Sequence, residues 1–311
     1  MPILTVHHVT TYRYKQPVSF GEHRMMFRPR EGHDQKLVES RLEITPKPVS
    51  LRWVHDVFGN CVALARFSGR ALELCFDSLV RLDHSSTTAL DFELADYASF
   101  YPFTYGTDEM PDLLRSIERY APDSERAVDR WVRQFLPLGG QIRTWDLLVA
   151  ITTAIKRDFA YVAREEQGVQ APNRTLKLGS GSCRDFAVLM IDAVRALGFA
   201  ARFVSGYLYS PAGEGRVGGG ATHAWVRVYL PGAGWVEFDP TNGIVGNRGL
   251  IRVAVARDPR QAVPLSGTWT GFPNDCLGMT VDVTVTATRD ALQADGEADP
   301  FPARLLGAAQ S

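Results

Sequence analysis

The chain is short of cysteine, with 4 in 311 residues and no two of them in a C-x-x-C pair. So low a count excludes a disulfide scaffold and agrees with a reducing compartment. No two of the 7 histidines stand at i, i+4, so the zinc patterns that need paired Cys or His are missing as well. His7 and His8 are adjacent and on a strand would point to opposite faces, so they cannot chelate one ion together. No acidic cluster resembles a calcium loop, and neither a metal nor any other cofactor is expected. An excess of one charge is also lacking. Lys and Arg total 34 against 35 for Asp and Glu, which leaves no electrostatic footprint for nucleic acid or an anionic membrane. No apolar run reaches the length of a membrane span, and the opening Met1-Pro2-Ile3-Leu4-Thr5-Val6 lacks the basic and apolar regions of a secretory signal. A cytoplasmic enzyme with no nucleic-acid and no membrane partner is the expectation, and no feature sets an oligomeric state.

A chain of this length makes about two domains and buries roughly three quarters of its unfolded surface. Residues 3–82 read as strands: 4–14, 22–28, 37–44, 51–57, 62–67 and 72–82 alternate or are rich in β-branched and aromatic residues, with Phe58-Gly59-Asn60 as a turn. They predict a β-sandwich or half-barrel. From residue 91 the period becomes helical, over 111–120, 124–135 and 145–159, and strands return at 249–256 and 277–288. The expected division is a β-rich domain over 1–88, a catalytic core over 89–290 and a tail over 291–311, partly helical or disordered, in an α+β fold.

One cysteine stands apart. Cys183 lies in Gly179-Ser180-Gly181-Ser182-Cys183-Arg184-Asp185, where a flexible turn meets the apolar positions Val188, Leu189, Ile191, Val194 and Leu197. Their spacings of three and four mark a helix with one buried face, which Gly198 ends. Ser182 is a good N-cap and Asp185 completes a capping box, so Cys183 takes the first helical position. There the helix dipole favours thiolate, and a free N–H beside the sulfur can stabilise an oxyanion. At about 0.3–1 kcal/mol the dipole alone is too weak, and an imidazolium partner is needed. Cys61, Cys75 and Cys276 lie in strand-like runs, where core packing explains them.

His223, 40 residues on, opens the alternating run Thr222-His223-Ala224-Trp225-Val226-Arg227-Val228-Tyr229, and the turn Pro231-Gly232-Ala233 leads into Gly234-Trp235-Val236-Glu237-Phe238-Asp239. Asp239 is 16 residues past His223, and its strand ends at Pro240. Taken singly, a free cysteine is usually a small buried hydrophobe, a strand histidine a structural residue, and an Asp before Pro a turn starter. The ordered combination of helix-start Cys, strand-start His and strand-end Asp points instead to chemistry.

The stretches GSGSCRDFAVLMIDAVRALGFAARFVSGYL, THAWVRVYL and GWVEFDPTNG resemble the core of the bacterial transglutaminase-like superfamily, over roughly residues 145–245. The first 85 or so residues are similar, more generally, to the β-rich N-terminal domain often joined to it. The resemblance implies a papain-like core in which a nucleophile helix packs on an antiparallel sheet. It implies Cys183 as nucleophile, His223 as general base and acid and Asp239 as the group that orients the imidazole. The implied reaction is acyl transfer at amide bonds through a thioester. Hydrolysis of peptide or isopeptide-like amides, the activity of a cysteine protease, leads. Transglutaminase activity and a non-catalytic peptide-binding module are the alternatives, and the intact triad argues against the second of these.

Further candidates surround the triad. Trp225 shares the His223 strand face and is a candidate wall of the site, as well as a core aromatic. Tyr161, Asn173, Gln167 and Gln170 enter the site and are candidates for substrate contact or a second oxyanion donor. The run 210–220, with five glycines, reads as a mobile hairpin loop or as a flap over the thiol.

Overall fold

The computed structural model describes residues 3–86, 92–119, 123, 125–164, 166–211, 216–217 and 220–288. The expected tail at 291–311 lies outside them, as do parts of the 83–95 boundary, of the expected 111–120 and 124–135 helices and of the 210–220 loop.

The first third consists of β1 (Ile3–Phe20), β2 (His23–Met25), β3 (Gln35–Thr45), β4 (Ser50–His55), β5 (Cys61–Arg66) and β6 (Arg70–His84). Along β1, Leu4, Val6, His8 and Thr10 are buried and His7 is exposed, the alternation a strand needs with one face on a core. The middle runs β7 (Phe100–Tyr101), α1 (Met110–Ile117), α2 (Ala127–Arg133), β8 (Ile142–Arg143), α3 (Thr144–Asp158), β9 (Ala160–Tyr161), α4 (Pro172–Leu178), β10 (Ser180–Gly181) and α5 (Cys183–Ala196). Next come β11 (Ala201–Leu208), β12 (His223–Leu230), β13 (Gly234–Asp239), β14 (Ile244–Val245) and β15 (Leu250–Ala256), then β16 (Leu265–Ser266), β17 (Trp269–Thr270) and β18 (Cys276–Thr288).

Two sheets form the sandwich. One has β1 between β6 and β18, with β3 outside β6 and β17 at the far end of β1; the other runs β4-β5-β2-β16. Tyr14, Val18, Phe20, Met25, Phe27, Ala63, Ala65, Leu74 and Phe76 fill the space between them. Residues 265–288, expected within the core over 89–290, pair with the strands of the sandwich. β18 pairs with β1 from Ile3↔Thr288 to Tyr14↔Cys276, β17 with the end of β1, and β16 with β2. The chain thus leaves the sandwich, builds the core and returns, because the alternating run at 276–288 finds its partner on the open side of β1.

The core sheet is antiparallel throughout, in the order β14-β13-β12-β11-β15, and α5 packs on β11 and β12. One apolar cluster joins Leu4, Val6, Val80 and Leu82 of the sandwich to Ile251 and Val253 of β15 and on to the buried side of α5. At about 1.5–3 kcal/mol for each fully buried aliphatic side chain, exposing this surface would destabilise both parts. The outer edge of β15 is closed by two side-chain amides of the sandwich. Gln35 donates to Arg252 O at 2.8 Å and accepts from Arg252 N at 2.9 Å, while Asn60 does the same at Val255 over 2.8 and 2.9 Å. Each mimics a peptide unit of a neighbouring strand and satisfies an edge that would otherwise be open.

Candidate active site

Cys183 occupies the first position of α5, after Ser182 in extended conformation at the N-cap. The capping box forms in altered guise: Asp185 Oδ2 accepts from Ser182 N at 2.9 Å, and the Ser182 hydroxyl also donates to that oxygen, at 2.8 Å. Asp185 is fully buried, and it accepts further from Arg164 Nη1 at 2.8 and 2.9 Å, Gln170 N at 2.7 Å and Gln170 Nε2 at 3.3 Å. Burial alone would raise this carboxyl, but these donors hold it below the usual range. The carboxylate thus pins the turn before the thiol to the 164–170 segment. Gly181 belongs to the same arrangement, since a Cβ there would stand 2.8 Å from Asp185 Cβ. β10 pairs in parallel with β9, which places Tyr161 level with Gly181.

The imidazole comes from the sheet. His223 is the first residue of β12, opposite Gly206 of β11, and Asp239 is the last residue of β13. His223 Nε2 donates to Asp239 Oδ2 at 2.8 Å, with both side chains fully buried. That bond leaves Nδ1, which has no hydrogen-bond partner by geometry, as the ring nitrogen available to the thiol. Burial opposes a charged imidazole. The Asp239 charge, its hydrogen bond and the nearby Cys183 sulfur outweigh that and push His223 up to about 10. Asp239 is held low by His223 and by donors on both oxygens, although burial pulls the other way. Thr241 N reaches Oδ1 at 2.9 Å and the Asn242 side chain reaches Oδ2 at 2.8 Å.

The expected triad members therefore share one site, the Cys183 thiol beside the ring and the carboxylate behind it. The flanking candidates divide. Tyr161 is half-buried on β9, level with Gly181, and its phenol is raised by burial first and then by the charge of Cys183. Trp225, expected as a candidate wall for substrate, is fully buried among Val204, Leu208, Leu250 and Val255. Its ring stacks on His223 at 5.9 Å, so it backs the imidazole and does not face a substrate. Gly206 makes room for it, since a Cβ there would meet the indole at 2.8 Å. Gln170 is occupied by Asp185 and by Ser180 O, and Gln167 is exposed. No hydrogen bond among the described residues links Asn173, half-buried in the first turn of α4, to Cys183, His223 or Asp239. Sequence reasoning missed Arg164 and Asn242. The Asn of Asp239-Pro240-Thr241-Asn242 offered a signal, as a short amide within reach of a strand-end carboxylate. Among the described residues no group of three or more His, Cys, Asp or Glu is placed to hold a metal, and no helix is long and apolar enough to cross a membrane.

Two family models match the chain. One described as the bacterial transglutaminase-like N-terminal region covers residues 4–83, and one described as the transglutaminase-like superfamily covers 139–240. An uncharacterised protein of Mycobacterium tuberculosis is 31% identical over 310 residues, spanning 93% of this chain and 94% of its own length. One from Mycobacterium leprae is 26% identical over 298 residues, spanning 90% and 98%. Among solved structures, one titled as a putative cysteine protease from Cytophaga hutchinsonii superposes with a TM-score of 0.66 at 20% identity, covering 93% of this chain and 92% of that one. That likeness is one of fold.

Proposed function

Since the chain belongs to the transglutaminase-like superfamily, we propose that it is a cysteine-dependent hydrolase of peptide or isopeptide-like amides. The observation that carries this reading is the buried His223–Asp239 pair at 2.8 Å, whose remaining ring nitrogen is left for the thiol at the start of α5. At neutral pH the imidazole, raised to about 10, holds its proton and is ready to give it away. The Cys183 sulfur adds to the amide carbonyl, and the oxyanion is stabilised by the unpaired N–H groups of the helix start. Collapse breaks the C–N bond as His223 protonates the departing amine, which leaves a thioester. Water then gives its proton to the now neutral ring and attacks the thioester, releasing acid and regenerating the thiol. Asp239 keeps the ring oriented with Nδ1 toward sulfur throughout. Tyr161, level with Gly181, is the proposed substrate contact. A cytoplasmic setting belongs to the same proposal, since the reaction needs a free thiol.

The test pairs labelling with product analysis. Iodoacetamide at pH 6 should alkylate Cys183 ahead of Cys61, Cys75 and Cys276, and Cys183→Ala should abolish cleavage of an accepted amide. Adding a millimolar primary amine should divert little acyl product from acid to amide. Faster alkylation of another cysteine overturns the nucleophile assignment, and dominant capture by the amine makes the protein a transferase.

A further inference from the structure

Asp239 is held by more than its imidazole. Asn242, three residues on, donates from Nδ2 to Asp239 Oδ2 at 2.8 Å, the same oxygen that accepts from His223. Its backbone N–H approaches Oδ1 at 3.3 Å, where Thr241 N also donates at 2.9 Å. The amide is engaged on its other side too. Asn242 Oδ1 accepts from Val217 N at 2.8 Å, and Nδ2 donates to Val217 O at 3.2 Å. One nearly buried side chain therefore pairs with the backbone of Val217 as a neighbouring strand would, and with the carboxylate that steers the ring.

We infer that Asn242 is a positioning residue: it couples the place of Val217, in the segment that leads into β12, to the orientation of Asp239 and through it His223. The inference rests on the thiol mechanism above. Oδ1 is fixed by backbone donors whatever the side chain at 242. Among the described hydrogen bonds Oδ2 has only the Asn242 amide and the imidazole. Without the amide, Oδ2 of a fully buried carboxylate keeps a single donor, so ring and carboxylate are free to turn together. The same loss leaves the N–H and C=O of Val217 without their partner, so a substrate that touches this segment acts on the hold over the ring. The ionisable groups that face His223 are Asp239 from β13 and Cys183 from α5, and Tyr161 of β9 feels the charge of that sulfur. None of them is altered by a change at 242.

The experiment uses the full chain and needs no substrate. Second-order rates of Cys183 alkylation by iodoacetamide are measured from pH 4 to pH 9, by mass of the Cys183 peptide, for wild type, Asn242→Ala, Asn242→Asp, Asp239→Asn and His223→Ala. Near-UV circular dichroism checks folding at each pH. Asn242→Ala should slow the reaction at pH 6 by about tenfold, because a ring free to turn loses its hold on the thiolate, and leave the rate at pH 9, where the thiol ionises without help, unchanged. Asn242→Asp keeps an acceptor for Val217 N–H but sets a second carboxyl against Asp239, so its loss at pH 6 should be at least as large. Wild-type rates at pH 6 in both variants overturn the inference. A loss by the same factor at pH 6 and pH 9 also overturns it, since that is the mark of a merely structural role. A wild-type profile that Asp239→Asn and His223→Ala leave untouched overturns the thiol mechanism itself.

Discussion

Two fully buried carboxylates stand on either side of the candidate site, Asp185 under the thiol and Asp239 behind the imidazole. Both are held below the usual carboxyl range against the pull of burial, and both accept from backbone N–H groups as well as from a cationic side chain. The cations differ. Asp185 meets the Arg164 guanidinium, which never gives up its proton, together with neutral donors from Gln170 and Ser182. Asp239 meets His223, whose proton the proposed reaction moves twice. Burial and pairing therefore do not separate scaffold from chemistry. What the partner's proton can do separates them.

Exchanging each carboxylate for a neutral group should break the resemblance between them. Asp239→Asn is expected to cost two to four orders of magnitude in the rate of amide cleavage, because an amide accepts the wrong imidazole tautomer, with the thermal transition close to wild type. Steady-state kinetics beside calorimetry check this, and unchanged kinetics would remove Asp239 from the triad. Asp185→Ala should act chiefly on folding. It leaves Arg164 only the exposed Glu166 as a counter-charge and strands the Gln170 and Ser182 donors, and should lower stability by about 3–5 kcal/mol in urea unfolding.

A histidine without a carboxylate sharpens the comparison. His8, bonded to the Tyr207 hydroxyl at 2.8 Å and to Thr10 at 2.9 Å, is lowered to about 4, by burial first and then by His7. Its folded value lies below its unfolded one, so its contribution to stability is complete above about pH 6.5 and is lost as pH falls toward 4. His223 runs the other way, with its contribution present below about pH 6.5 and lost as pH rises toward 10. Between pH 7 and pH 5 the His8 group should lose about 2 kcal/mol, and urea unfolding of His8→Gln should show that slope removed. The smallest effect belongs to the sheet edge. Asn60→Ala, which strips the cap from Val255, should cost about 1–2 kcal/mol in the same assay while unfolding stays a single transition.

The grouping of Cys183, His223 and Asp239 was legible because each carries its setting in neighbouring residues: Ser182 and Asp185 around the thiol, the alternating run after His223, and Pro240 after Asp239. Fold class was legible for the same reason, since period shows which stretches are strands and which are helices. Pairing was not. The alternation over 276–288 marks a strand but says nothing about its neighbour, and only the register Ile3↔Thr288 assigns it to the sandwich. For Trp225 the strand face left wall and core aromatic both open, because a face does not reveal its depth, and here that face lies under β15 residues Leu250 and Val255. Asn242 and Arg164 were missed for a related reason. A single amide or guanidinium has no pattern of its own until a distant carboxylate comes within reach.

The pairing of β1 with β18 also sets an order in time. Of the described strands β1 is made first and β18 last, so one flank of β1 has to wait through synthesis of the whole core before it is filled. A contact between residues so far apart in the chain is slow to close. Until it does, a long alternating strand presents unpaired N–H and C=O groups to any other nascent chain nearby. Newly made protein should therefore depend on holding factors or low crowding for that interval, and lose the dependence once residue 288 has emerged.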